Sequence, residues 1–375
     1  MDPTPAAATA PAAIGVSGLA QLLGALQRRG YQLIGPTVRD GAITLGLIEK
    51  VEDLPAGWTD RQEPGGYRLE RREDGAVFGH SNGQHSWKQF LHPPEIQLCE
   101  LAREGVSFKV VATPAPPPRR AFVGVRACDL AAIRIQDRVL LEDRCPDAVY
   151  ADHRRDVFIL AVNCTRASGT CFCTSMEAGP RVQGGFDLAL TELAGPEGHV
   201  FLAEAGSQAG REVLAEIEQR PASEEEALKA ALAIESAAQQ VTRRLDTSDL
   251  RRLLVGNLEH PEWERVAARC LACGNCTLVC PTCFCTNVED TSGVTGARAE
   301  RRRTWDSCFT ESFSYIHGGS VRLSVKSRYR QWLTHKLATW VDQFGTFGCV
   351  GCGRCITWCP AAIDLTAEVA AIRGG

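Results

Sequence analysis

The sequence predicts an α+β protein in three parts: an N-terminal α/β domain over residues 14–209, a helical bridge over 210–261 and a cysteine-rich C-terminal domain over 262–375. Three observations carry this prediction. Short apolar strands flank a helical stretch between Ala121 and Val162, the chain from about Gly210 to Arg269 is rich in Ala, Glu, Arg and Leu, and eleven of the seventeen cysteines follow Glu262. A chain of 375 residues with 44% hydrophobic content can bury more than one core. Its 41 basic and 45 acidic residues give 41 − 45 = −4, a balance that offers neither nucleic acid nor an anionic membrane any bulk attraction.

Residues 1–13, rich in Ala, Pro and Thr, read as a flexible tail without the basic region and apolar core of a secretion signal. Leu19, Leu22, Leu23 and Leu26 then recur at helical spacing until Gly30. Tyr31–Ile34 and Ala42–Ile48 read as strands, and Tyr67–Arg71 with Ala76–Phe78 reads as a hairpin turning at Asp74-Gly75. Glu95–Arg103 is predicted helical after Pro93-Pro94, Phe108–Val111 a strand, and Pro114 to Pro118 an extended spacer. Ala121–Arg126, the helix Asp129–Leu141 and Val157–Val162 make a βαβ unit whose strands, apolar throughout, are expected to lie parallel and buried on both faces. The bridge is expected to break near Pro221 and between Gly256 and Pro261. No window approaches eighteen uninterrupted apolar residues, so no membrane-spanning helix is expected.

Seventeen cysteines, an odd number, suit disulfide pairing poorly in a chain this long, and their two-residue spacings point to metal ligation in a reducing compartment, the cytoplasm. Cys270, Cys273, Cys276 and Cys280-Pro281 spell C-x2-C-x2-C-x3-C-P, and Cys349, Cys352, Cys355 and Cys359-Pro360 repeat it. Thiolates two residues apart wrap a tight loop around one face of an iron–sulfur cubane, with Gly274, Gly351 and Gly353 letting the loop curl. The fourth cysteine, turned away by proline, ligates the other cluster in two-cluster ferredoxins. This assigns Cys270, Cys273, Cys276 and Cys359 to one 4Fe-4S cluster and Cys349, Cys352, Cys355 and Cys280 to a second, in a two-cluster ferredoxin-like domain. Zinc is the competing reading, although a zinc knuckle needs only two C-x2-C pairs. Between the motifs lies a long insertion, 282–348, expected to be helical. Tyr329, Leu333, Leu337, Trp340 and Phe344 share one helical face that stops at Gly345, and Arg301-Arg302-Arg303 reads as a solvated face that alternatively docks an acidic partner or offsets cluster charge.

Asn163–Glu177 (NCTRASGTCFCTSME) and Asn275–Glu289 (NCTLVCPTCFCTNVE) align without gaps at nine identical positions of fifteen, so Cys164, Cys171 and Cys173 correspond to Cys276, Cys283 and Cys285. Cys128 and Cys164 each lie just beyond a strand of the βαβ unit, and parallel strands open on one edge. A third 4Fe-4S cluster on Cys128, Cys164, Cys171 and Cys173 is therefore expected, with zinc or reduced thiols as alternatives. Cys283, Cys285 and Cys308 form a weaker metal candidate, with Asp306 or His317 as a possible fourth ligand. Buried structural thiols are an equal reading. Cys99 and Cys145 read as ordinary residues, Arg354 as a residue that tunes or shields the second motif, Trp358 as core in preference to that role, and His80, His85 and His92 as solvated imidazoles of a loop in preference to a metal site. No G-x-G-x-x-G follows a strand and no G-x-x-x-x-G-K-[ST] occurs, and Gly124 at the βαβ edge offers only a fold-level place for a flavin.

The runs CVGCGRCITWCPAAIDL, RYRQWLTHKL, GVRACDLAAI, AVNC and TCFC together resemble the beta subunit of cytoplasmic NAD(P)-linked nickel–iron hydrogenases, the sulfhydrogenases, across roughly residues 65–370. The A subunit of anaerobic sulfite reductase is similar. The resemblance implies an iron–sulfur electron relay without catalytic residues of its own. It would work between a flavoprotein subunit that handles NAD(P)H, where the flavin resides, and the hydrogenase small and large subunits. The equivalent relay in sulfite reduction and a zinc-stabilised, non-redox interaction subunit are the alternatives.

Overall fold

The computed structural model describes residues 11–142, 144–196 and 198–374. Residues 1–10 of the expected tail lie outside the described residues. Ala12 and Ala13, also assigned to that tail, instead begin strand β1 (Ala12–Gly15), because pairing with a neighbouring strand buries them. Helix α1 (Val16–Arg28) follows, then β2 (Gln32–Arg39) and β3 (Ala42–Leu47). The four leucines of α1 are fully buried, each stabilising the domain by about 2 kcal/mol.

The expected hairpin is displaced by several residues. Its strands are β4 (Trp58–Glu63) and β5 (Gly66–Arg71), turning at Gly65 with φ +71°, whereas Ala76–Phe78 is irregular and buried. At Asp74 the carboxylate accepts from the Arg72 guanidinium and the Ala76 N–H, a closed local turn that needs no strand partner. After helix α2 (Lys88–Leu91) comes β6 (Glu95–Glu104), where a helix was expected, and then β7 (Ser107–Ala112). The βαβ unit is β8 (Arg120–Arg126), α3 (Ala127–Leu140), the short α4 (Ala148–Arg154) and β9 (Phe158–Val162). Strands β10 (Leu188–Gly195) and β11 (Gly198–Ala205), helix α5 (Gln208–Ala215) and the two-residue β12 (Arg220–Pro221) close the first half.

Eight strands form one sheet in the order β12-β1-β11-β10-β9-β8-β2-β3, parallel from β10 to β2 and antiparallel toward both edges. Alternation sends Ala121, Val123, Leu160 and Val162 to the face covered by α1, and Phe122, Val125, Ile159 and Ala161 to the face covered by α3. Gly124, at φ +88°, makes the bulge between Val123 and Val125, and the Phe78 ring fills the space beside it.

The second half is carried by α6 (Glu224–Gln240), α7 (Leu250–Gly256), α8 (Glu262–Arg269) and α9 (Asn275–Leu278). The insertion is not helical throughout. It opens with the hairpin β13 (Thr286–Ser292) and β14 (Arg298–Trp305), and β14 pairs with β6 to give a second sheet, β13-β14-β6-β7. That pairing explains why Glu95–Arg103 is extended, since its partner lies about two hundred residues away and local pattern cannot reveal it. Helix α10 (Val325–Thr334) runs through a π-helical turn, His335–Thr339, into α11 (Trp340–Phe344), which stops at Gly345 as expected (φ +67°). Helices α12 (Arg354–Thr357) and α13 (Leu365–Gly374) end the chain.

The arginine run lies on β14 and is already paired: Arg301 with Asp290, Arg302 with Glu95 and Glu300, and the buried Arg303 with Asp147. No described helix is long and apolar enough to cross a membrane.

Candidate iron–sulfur centres

The two ferredoxin-type motifs fold into the same loop. Helix α8 ends at Cys270, and the chain curls through Ala272 (φ +49°) and Gly274 (φ +73°) into α9. In the second copy Gly351 (φ +64°) and Gly353 (φ +77°) lead into α12. Each loop turns a backbone N–H onto its first sulfur: Ala272 N to Cys270 Sγ and Gly351 N to Cys349 Sγ, both at 3.4 Å.

The fourth cysteine of each motif lies against the other motif. Cys270, Cys273, Cys276 and Cys359 line one cavity, walled by Phe309, Tyr329, Ile363 and Leu365, and Cys355 of the second motif reaches the same wall. Burial first, then the neighbouring Cys270, Cys359 and Cys273 sulfurs, pushes the Cys276 thiol well up. Burial likewise raises the Cys355 thiol, followed by Cys349, Cys352 and Cys280, so those four sulfurs form the second group. Cys349 is pushed up to about 12, chiefly by burial. A cationic iron core binds such thiols as thiolates, displacing their protons.

The third predicted group also converges. Cys128 at the start of α3, Cys164 beyond β9, and Cys171 and Cys173 in the following loop line one cavity together with Arg126, Arg166 and Asn82. Asn82 Nδ2 donates to Cys128 Sγ at 3.0 Å, and burial pushes Cys171 up to about 12. This cavity abuts the second motif. Phe172 N donates to Gly351 O at 2.9 Å, and a Cβ on Gly351 would lie 2.6 Å from the Phe172 carbonyl. Only glycine permits that approach, which explains why the first copy tolerates Ala272 at the equivalent turn and the second does not.

Charged groups that sequence reasoning missed surround these sites. Lys336, on the π-helical turn, is 2% exposed and donates to Cys280 Sγ (3.2 Å), Thr282 Oγ1 (3.3 Å) and Gly348 O (2.7 Å). Its signal was present, since Lys336 lies between Leu333 and Trp340 on the buried face. Lys88 is buried against Cys283 O (3.1 Å) and over the Trp305 ring. Arg354, expected near the second motif, forms a buried 2.9 Å ion pair with Asp129, the neighbour of Cys128. Trp358 is half-buried and stacks on Tyr67 at 5.1 Å.

Of the three histidines, His85 is exposed as expected. His80 and His92 are not solvated: they are buried, and desolvation holds their imidazoles down at about 3 and about 4. Phe78 and His80 carbonyls accept from Arg126, which closes the loop over the third cavity instead of leaving it in water. Cys99 is half-buried and Cys145 exposed.

Cys283, Cys285 and Cys308 line a further cavity with His335, Lys336 and Trp340. Neither Asp306 nor His317, the ligands considered from sequence, is on its wall. A hydrogen bond with the Cys308 thiol draws Cys285 down to about 7.

The residues fit an iron–sulfur group better than a lone ion. A four-thiolate cubane is net anionic, accepts hydrogen bonds at sulfur and needs shielding from water. Here buried cations stand beside the thiols, and the first cavity is lined by Tyr329 and Trp332, whose buried Oη and Nε1 have no partner in the protein.

Comparison with known proteins agrees. A family described as a 4Fe-4S dicluster domain matches residues 269–363. Subunit beta of sulfhydrogenase 2 from Pyrococcus furiosus is 34% identical over 255 residues, which cover 67% of this chain and 73% of that protein. No solved structure matches the chain.

Proposed function

Because the chain belongs to the sulfhydrogenase beta-subunit family, we propose that this iron–sulfur electron-transfer subunit of a hydrogenase passes single electrons between a flavoprotein subunit that handles NAD(P)H and the small subunit beside a nickel–iron site. In this reading Cys270, Cys273, Cys276 and Cys359 hold one 4Fe-4S cluster, Cys349, Cys352, Cys355 and Cys280 a second, and Cys128, Cys164, Cys171 and Cys173 a third. A bound cluster supplies reversible one-electron chemistry. The chain's own residues do the rest. Thiolates bind, Phe309, Ile363 and Leu365 exclude water, the Ala272 and Gly351 N–H groups donate to sulfur, and Arg126, Arg354 and Lys336 offset negative charge.

The observation that carries the relay reading is contact between the centres. The loop of the N-terminal site packs backbone to backbone on the loop of the second motif, with Cys171 Sγ 4.0 Å from Cys352 O, and the two motifs interlock through Cys280 and Cys359. A continuous series of sites suits transfer between partners at different faces. All seventeen cysteines are unpaired, which supports a reducing, cytoplasmic setting.

The test is iron and acid-labile sulfide analysis of oxygen-free protein with EPR of the reduced form. The reading expects not less than about twelve irons per chain, and a loss of about four in Cys164→Ser with the ferredoxin-type signals retained. A Cys164→Ser protein with unchanged iron removes the third site, and colourless protein carrying stoichiometric zinc overturns the whole reading.

A further inference from the structure

The cavity lined by Cys283, Cys285 and Cys308 is unused by the relay just described, and several independent features of it require explanation. Local structure brings the three sulfurs together. Cys285 leads into β13 and Cys308 follows β14, with Thr286 opposite Trp305 and Asp306 N bonded to Cys285 O (2.9 Å), so the hairpin returns the chain to its own start. Cys283 lies on the turn after Cys280-Pro281, and its thiol meets that of Cys280. In the internal sequence repeat Cys283 and Cys285 stand where Cys171 and Cys173 stand in the N-terminal site.

The walls are not those of ordinary packed thiols. The cavity has a volume of about 360 Å³, far more than a close-packed core leaves around structural cysteines. Trp332 and Trp340 line it, are 5% and 2% exposed, and each has a buried indole N–H without an acceptor in the protein. An unmade buried hydrogen bond is costly; Trp332 also lines the first cavity, so the Trp340 N–H is the donor that indicates an acceptor belonging here. Lys336 is on the same wall, and Lys88 bonds the Cys283 carbonyl from behind. Buried ammonium groups beside thiols are stabilised by a resident anion. His335 supplies a nitrogen donor: its Nε2 contacts Gln343 Oε1 at 2.9 Å, and when Nε2 donates, Nδ1 keeps the lone pair.

We propose that this cavity is a fourth iron–sulfur site, holding a 4Fe-4S cluster on the thiolates of Cys283, Cys285 and Cys308 with His335 as its one non-thiolate ligand. The inference rests on the iron–sulfur reading of the chain but concerns residues outside the two C-x2-C-x2-C-x3-C-P motifs. The site adjoins the second motif through the Cys283–Cys280 sulfur contact and the first through Cys308, whose thiol lies within electrostatic reach of Cys276. Arg322 and Gln331, both half-buried, complete the wall of the cavity.

The full chain, purified without oxygen and reconstituted with iron and sulfide, tests this in two ways. Cys285→Ala/Cys308→Ala loses about four irons relative to the parent, while Cys164→Ser loses its own four independently and both keep the ferredoxin-type EPR signals. His335→Ala is expected to convert one cluster to a three-iron form on mild oxidation. An iron content unchanged in the double variant overturns the proposal, whereas a parent without iron overturns the relay reading instead. Alkylation of the unmodified holoprotein covers the case in which the variant does not fold. Cys283, Cys285 and Cys308 should resist iodoacetamide until the clusters are stripped, while exposed Cys145 reacts at once; alkylation of all three in the intact holoprotein sinks the inference.

Discussion

Replacing Lys336 with Met should lower the reduction potential of the second cluster, and of the adjoining Cys283, Cys285 and Cys308 site whose wall it shares, and leave the other centres nearly unchanged. Lys336 is 2% exposed, and its Nζ lies 3.2 Å from Cys280 Sγ, so it stabilises the form of the second site that carries the additional electron. Taking the added charge as spread over a cluster centred about 6 Å from Nζ, with an effective dielectric constant of about 20, the attraction is about 3 kcal/mol. For one electron that corresponds to about 130 mV. The measurement is an anaerobic redox titration followed by EPR on Lys336→Met and Lys336→Arg. The Met variant should shift the midpoint of the second cluster downward by that order, with the adjoining site moving in the same direction, and the Arg variant, which keeps the charge, should stay near the parent. If the Met variant carries its full iron complement and every midpoint stays within about 20 mV of the parent, the electrostatic role of Lys336 is refuted.

Gly351→Ala should destabilise the protein by about 2–4 kcal/mol, combining a left-handed backbone with a Cβ 2.6 Å from the Phe172 carbonyl, whereas Gly30→Ala, at φ +80° in open space, should cost about 1 kcal/mol. Equal denaturation midpoints for the two would contradict the close packing of the loops. Asp129→Leu or Arg354→Met alone should cost about 3–5 kcal/mol by leaving its partner's charge buried, and the double substitution should cost less than the sum; strict additivity in a double-mutant cycle would show that the pair is not coupled. His92, held at about 4 by burial and then by Arg303, refuses a proton that the unfolded chain accepts below its ordinary value of 6.5. Its contribution is therefore complete above pH 6.5 and lost as pH falls toward 4, at about 1.4 kcal/mol per pH unit. His92→Leu should flatten the fall in urea midpoint across that window by one proton's worth, and an unchanged slope would count against the burial of a neutral imidazole.

What was legible in the sequence was local or followed from strand direction. The C-x2-C-x2-C-x3-C-P loops are set by neighbouring residues, and the meeting of Cys128 with Cys164 follows from parallel strands opening on one edge. Long-range pairing was not legible. The segment of β6 carries Ile96, Leu98 and Leu101 at positions compatible with either a helix or a strand, and β14 decides between them from the other end of the chain. Buried charge was hidden for a different reason. Lys336, Lys88 and Asp129 are residue types normally read as surface, and only the enclosing geometry shows that thiols, carbonyls and the Arg354 guanidinium are their solvent. The histidine loop misled because Gly, Asn and Ser signal a turn without saying whether protein or water covers it.

The ladder between β6 and β14 also determines how this polypeptide can be divided. Cutting the chain ahead of Glu262 to isolate a miniature ferredoxin would strand β13 and β14 as a lone ribbon and leave the complementary fragment with a raw hydrogen-bonding edge along Glu95–Glu104. Such edges recruit other edges, so fragments should precipitate or polymerise where the intact protein does not. Dissection of the electron path is therefore better made by single-residue changes than by truncation.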